Sequence, residues 1–108
     1  MSDVFGLSQQ TIKSIQAVLS AHANVHKAVL YGSRAKGNYR EGSDIDLTLF
    51  GPLDIHTLAE IADEIDDLLL PYLFDISLFD SLSNPELREH IRRVGKVFYE
   101  QSPASQIQ

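Results

Sequence analysis

Apolar residues Ile12, Ile15, Val18 and Leu19 recur at helical spacing behind Ser8, a residue suited to an N-cap, and predict an amphipathic helix over residues 8–22. The period then changes. Lys27-Ala28-Val29-Leu30-Tyr31 is a short β-prone run that stops at Gly32, which predicts a buried strand entering a tight turn. Residues 38–43 are polar and read as a loop, after which Asp44 to Phe50 alternates polar and apolar residues as a second strand, stopped by Gly51-Pro52. Over residues 55–69, Ile55, Leu58, Ile61, Ala62, Ile65, Leu68 and Leu69 fall on one helical stripe, with Glu60, Asp63, Glu64, Asp66 and Asp67 elsewhere. Pro71 marks the end of that helix. Leu73 to Phe79 returns to period two as a third strand, and Asn84-Pro85 supplies a cap and a first-turn proline for a last helix whose inner residues are Leu87, Ile91 and Val94. Gly95 ends it, Val97-Phe98-Tyr99 is a fourth short strand, and residues 102–108 read as a flexible tail. The expected fold class is α/β: one small domain over residues 1–101, a mixed β-sheet with helices packed on one face.

Composition narrows this picture. A chain of 108 residues with 44% hydrophobic and 22% charged positions has the make-up of an ordinary soluble domain with one modest core. The absence of cysteine excludes disulfides, thiolate metal sites and a cysteine nucleophile. No secretory signal pattern and no apolar run of membrane-spanning length occur, so a cytoplasmic location without membrane association is expected. A net charge of −6 argues against direct nucleic-acid binding over a long footprint, which depends on neutralising many phosphates. The distribution of charge is less uniform than its total. Arg34, Lys36 and Arg40, three of the nine basic residues, lie between Gly32 and the acidic pair at 44 and 46, a local positive patch of a size that suits a small polyphosphate.

The densest chemistry lies in Gly32-Ser33-Arg34-Ala35-Lys36-Gly37 followed by Ser43-Asp44-Ile45-Asp46-Leu47. Residues two apart in a strand share a face, so Asp44 and Asp46 are expected together, with Ile45, Leu47 and Leu49 directed into the core. Two adjacent carboxylates repel unless a cation lies between them, and hard oxygen ligands completed by water and phosphate suit Mg²⁺. A two-ion arrangement of this kind assists in-line displacement at phosphorus and calls for a third carboxylate. Strand parity selects Asp75 over Asp80, since Asp75 shares a face with Ser77 and Phe79 while Ile76 and Leu78 face the core. Gly32 lets the backbone approach a phosphate, the Ser33 hydroxyl can donate to a phosphate oxygen, and Arg34 or Lys36 can neutralise charge on a leaving group. The pattern is neither a P-loop nor a dinucleotide fingerprint. His22 and His26 lack the glutamate of a zinc-protease helix, and His56 and His90 have no partners nearby in sequence; surface or boundary positions are expected for all four.

Read together as Gly-Ser, ten residues, Asp-x-Asp, these motifs resemble the signature of the polymerase-β-like nucleotidyltransferase superfamily, and the Gly-Ser-Arg-Ala-Lys-Gly and Ser-Asp-Ile-Asp-Leu strings resemble its minimal nucleotidyltransferases. The resemblance implies that Gly32 and Ser33 hold a triphosphate, that Asp44, Asp46 and Asp75 are catalytic and bind Mg²⁺, two ions in all, and that Asp75 helps to deprotonate the acceptor hydroxyl. It also implies ATP as donor and a HEPN-domain toxin, a ribonuclease, as partner in a hetero-oligomer. In that setting AMP is transferred to a tyrosine of the toxin, and the chain acts as the antitoxin of a type VII-like pair. Three rival readings exist: a binding module that neutralises its partner by contact alone, a small-molecule adenylyltransferase, and a sugar-nucleotide glycosyltransferase using Asp-Ile-Asp as its metal motif. The last two normally require a larger chain, and the glycosyltransferase has no need of the upstream Gly-Ser turn.

Overall fold

The computed structural model describes residues 4–101; the tail expected at residues 102–108 lies outside the described residues. Ser8 caps helix α1 (Gln9–Ser20) by accepting a hydrogen bond from the Thr11 amide, as its side chain is suited to do. Strand β1 (Lys27–Tyr31) leads through Gly32 into a single helical turn, α2 (Ser33–Lys36), and β2 (Ile45–Phe50) follows the polar loop. Asp54 caps α3 (Ile55–Asp66), and its bond from the Thr57 amide holds the Asp54 carboxyl below the usual carboxylate range. Strand β3 (Phe74–Leu78) and a short 3-10 turn (Phe79–Ser81) precede α4 (Pro85–Val94), capped by Asn84, and β4 (Lys96–Glu100) closes the order.

Helix α3 stops three residues before its apolar stripe does. Pro71 disfavours helical backbone at Leu70, and Leu69 turns into the left-handed region at φ 57°, where its side chain is 88% exposed. Strand β2 likewise starts at Ile45, which leaves Asp44 just ahead of it.

The four strands form one sheet in the order β3-β2-β1-β4, antiparallel except for the parallel pair β2/β3. One face is the main core: Ala28 and Leu30 of β1 and Ile45, Leu47 and Leu49 of β2 pack with Ile15 and Leu19 of α1 and Ile61 and Ile65 of α3. His22 and Glu64, 2.9 Å apart, join the end of α1 to α3. The expectation of helices on one face holds for α1 and α3, but α4 lies on the other. There Ile91 packs with Val29, Tyr31 and Phe79, because the alternate residues of β1 and the residue after β3 are apolar too. Gly95 lets the end of α4 settle on β1, since a Cβ at that position would meet the Ile91 carbonyl and stand 2.6 Å from Val29 Cγ1. Helix α4 covers part of that face, and the uncovered remainder carries polar side chains.

Candidate active site

The polar part of the α4 face is a row across three strands. Register places Tyr31 of β1 opposite Asp46 of β2, and Asp46 opposite Asp75 of β3. Thr48 and Ser77 form the next row on the same face, their hydroxyls 3.1 Å apart, with Thr48 fully buried. Burial first, then repulsion from Asp75 and Asp44, pushes the Asp46 carboxyl above its ordinary range, opposed by His90. Burial and the nearby Asp75 raise the Tyr31 phenol, with the Ser77 hydroxyl acting in the other direction. The Tyr31 ring also meets His90 of α4 edge to face, at 6.3 Å between centroids and 83° between planes.

Gly32 is fixed at this row by two independent constraints. Its backbone, at φ 78° and ψ −156°, lies in a region open essentially to glycine alone, and a Cβ there would run into the Asp46 carboxylate. Ser33 follows at the start of α2, half-buried, and Lys36 is exposed at its end. Glycine therefore brings main chain and carboxylate closer together than any side chain would permit.

Arg34 has a different place from the one its position in the basic patch suggests. It is 2% exposed, and its guanidinium donates to the Ser43 carbonyl from Nε and Nη2 at 3.0 and 2.8 Å and to the Phe5 carbonyl from Nη1 at 2.9 Å. Tyr39 and Tyr72 lie within 5.4 and 5.0 Å of it. These bonds direct its donors toward the chain's own carbonyls rather than a phosphate. The positive patch is thus reduced to Lys36 and Arg40, both exposed. Arg34→Ala should cost about 3 kcal/mol, because buried carbonyls lose charged donors, and Arg34→Lys should recover little because an ammonium cannot reproduce the planar fork. Urea denaturation checks both variants.

Among the described residues no three His, Asp or Glu side chains are grouped closely enough to hold a metal ion unaided. Asp46 and Asp75 nevertheless suit a hard divalent cation in kind. They are oxygen donors on neighbouring strands of one face, and the repulsion acting on Asp46 is relieved by positive charge. Such a donor set fits an ion that also draws on phosphate oxygens and water, with exposed Asp44 at the margin.

Two residues of this neighbourhood escape sequence reasoning. Tyr31 enters it only through register, whereas parity already set Ser77 on the face of Asp75. His90 could have been noticed, since it stands three residues after Leu87 and one before Ile91, on the inner stripe of α4.

The family model described as polymerase beta, nucleotidyltransferase matches residues 13–104, which takes in the Gly32 turn and all three aspartates. The chain belongs to this nucleotidyltransferase family. A candidate protein adenylyltransferase of Methanocaldococcus jannaschii is 30% identical over 82 residues, covering 69% of this chain and 79% of that protein. Among solved structures, a toxin–antitoxin structure with AMP-PNP superposes with a TM-score of 0.66 at 20% identity, covering 93% of this chain and 79% of that one. A Shewanella oneidensis complex of tri-AMPylated HEPN toxin with MNT antitoxin gives 0.64 at 19% identity, covering 91% and 76%. These two likenesses are of fold. The protein is a nucleotidyltransferase.

Proposed function

We propose that this nucleotidyltransferase moves AMP from ATP to a tyrosine hydroxyl of a HEPN-domain ribonuclease, and so acts in the cytoplasm as the antitoxin of a type VII-like pair. The observation that carries the reading is the Asp46–Asp75 pair on adjacent strands, with the Cβ-free backbone of Gly32 against Asp46. The names of the relatives support the choice of AMP and of a protein acceptor.

In this reading the Gly32 main chain and the Ser33 hydroxyl hold the triphosphate, and Lys36 offsets charge on the departing pyrophosphate. Asp44, Asp46 and Asp75 would hold two Mg²⁺ ions, whose chemistry is to polarise the phosphate oxygens and lower the barrier to displacement. Asp75 accepts the proton of the acceptor hydroxyl. The hydroxyl oxygen forms a bond to the α-phosphorus, the bond from that phosphorus to the bridging oxygen breaks, and pyrophosphate leaves. Ser77 and Thr48 support the row from beneath, through a hydrogen bond that joins β2 to β3.

Intact mass spectrometry tests the proposal: a HEPN-domain partner is incubated with this chain, ATP and Mg²⁺, beside an Asp44→Ala control. AMP-sized additions on a partner tyrosine that disappear in the control are expected. A stable complex with no addition would favour neutralisation by contact.

A further inference from the structure

The α4 face holds a second feature, at the opposite end of β1 from the carboxylate row. A cavity of about 380 Å³ opens between α4 and the sheet, its floor formed by Val29, Phe79 and Ile91. Lys27 and Arg92 stand at its rim, and Val97 of β4, 56% exposed, lies at its mouth. Lys27 is four residues from Tyr31, so about 13 Å of strand separates this rim from the acidic row.

The rim cations make no ion pair among the described residues, although the register sets Glu100 of β4 opposite Lys27. Among the described residues the ion pair is His22–Glu64, and neither Lys27 nor Arg92 meets a carboxylate. Both instead lie against aromatic rings, Lys27 Nζ at 4.6 Å from the Phe50 centroid and Arg92 Cζ at 5.8 Å from that of Phe79. Arg88 is nearer to Phe79 still, and its Nη1 donates to the Phe79 and Leu82 carbonyls, which gives it a structural role.

We infer that this groove between α4, β1 and β4 docks an acidic segment of a partner polypeptide, with one branched apolar side chain in the cavity and flanking carboxylates on Lys27 and Arg92. Lys27 and Arg92 set the sign of the occupant at the rim, and the apolar floor of Val29, Phe79 and Ile91 sets the character of its anchor. A nucleic acid fits less well. Phe50 has Phe79 stacked at 4.5 Å and Lys27 above its ring, which leaves no open platform for a base. A polypeptide has a further point of attachment, because β4 is an edge strand whose outer side pairs with no other strand among the described residues. The inference rests on the proposed function only in taking the partner to be the acceptor protein. It places the anchor on the same face as the carboxylate row, so a docked partner lies alongside the site of transfer.

The test is a nuclear magnetic resonance titration of the isotopically labelled full chain with the capped peptide Glu-Glu-Asp-Leu-Glu-Glu, beside a control peptide with lysine at every acidic position. Saturable shifts at the Val29, Gly95 and Val97 amides from the acidic peptide alone are expected, with affinity at least about tenfold lower in Lys27→Glu/Arg92→Glu. Arg92→Glu alone, at an exposed position, should lower it in the same direction and guards against a folding defect in the double variant. Equal shifts from both peptides, no shift from the acidic one, or undiminished affinity in the variants would overturn the inference. Shifts caused only by an oligouridine would overturn it in favour of a nucleic acid. The titration needs no turnover, so a failure of AMP transfer and a failure of this docking site are read separately.

Discussion

Asp46→Asn is expected to lower nucleotidyl transfer by at least about 10²-fold while leaving the fold intact or firmer. The activity loss follows from removing the central charge of the row, the kind of electrostatic contribution whose deletion costs roughly 10²–10³-fold elsewhere. The stability effect runs the other way because this carboxylate is held in an unfavourable place. Burial and the repulsion of Asp75 and Asp44 raise its pKa in the folded protein, so the folded state binds a proton more tightly than the unfolded one. The resulting penalty is present above the raised pKa, diminishes as pH falls through it, and vanishes below the unfolded value. Thermal melts should therefore show Asp46→Asn at or above wild type at neutral pH, with the difference shrinking as the solution is acidified toward the ordinary carboxylate range. Asp54 has the opposite sign, since its cap to Thr57 is lost as pH falls through its lowered pKa, and it serves as an internal contrast. A neutral-pH destabilisation of Asp46→Asn that grew in acid would contradict the reading of the row as electrostatically loaded.

Gly32→Ala should damage stability and transfer together. Backbone strain alone is worth about 1–3 kcal/mol in this region of conformational space. At roughly 4–8 °C of melting temperature per kcal/mol for a domain near this size, the loss is easily measured. The added methyl also displaces the Asp46 carboxylate, so transfer should fall further than partial unfolding accounts for. Combining Gly32→Ala with Asp46→Gly separates the two causes. The double variant relieves the collision but keeps the backbone strain, so the cost of the alanine measured in the Asp46→Gly background should be smaller yet still clearly above zero. An alanine tolerated without loss in both backgrounds would show that the turn relaxes freely.

What could be read from the chain beforehand was whatever depends on neighbours in sequence. Ser8 and the Asn84-Pro85 pair mark helix starts because capping is a matter of two or three residues, and both caps are formed. Alternation in 45–49 identifies the residues that line the main core, and the same parity argument puts Asp75 on the face where the register sets it against Asp46. Features set by long-range pairing were not legible. Arg34 looked like part of a phosphate-facing patch because its partners, the Phe5 and Ser43 carbonyls, come from 29 and nine residues away and backbone oxygens leave no mark in a sequence. His90 lacked partners in sequence, yet from α4 it meets Tyr31 of β1. The second helical face escaped notice for a related reason: Val29 and Tyr31 made β1 uniformly apolar, which conceals which side each residue serves.

The Arg34 clamp has a bearing on how motion is distributed in the molecule. One guanidinium joins the Val4–Leu7 turn, through Phe5, to the loop that ends at Ser43, and the residue bearing it is the second of the helical turn after Gly32. Segments far apart in sequence are thereby tied to one another through a single side chain. Under the proposed function, a nucleotide that stiffens the glycine turn is expected to protect the Phe5 segment as well, and Arg34→Ala to abolish that link.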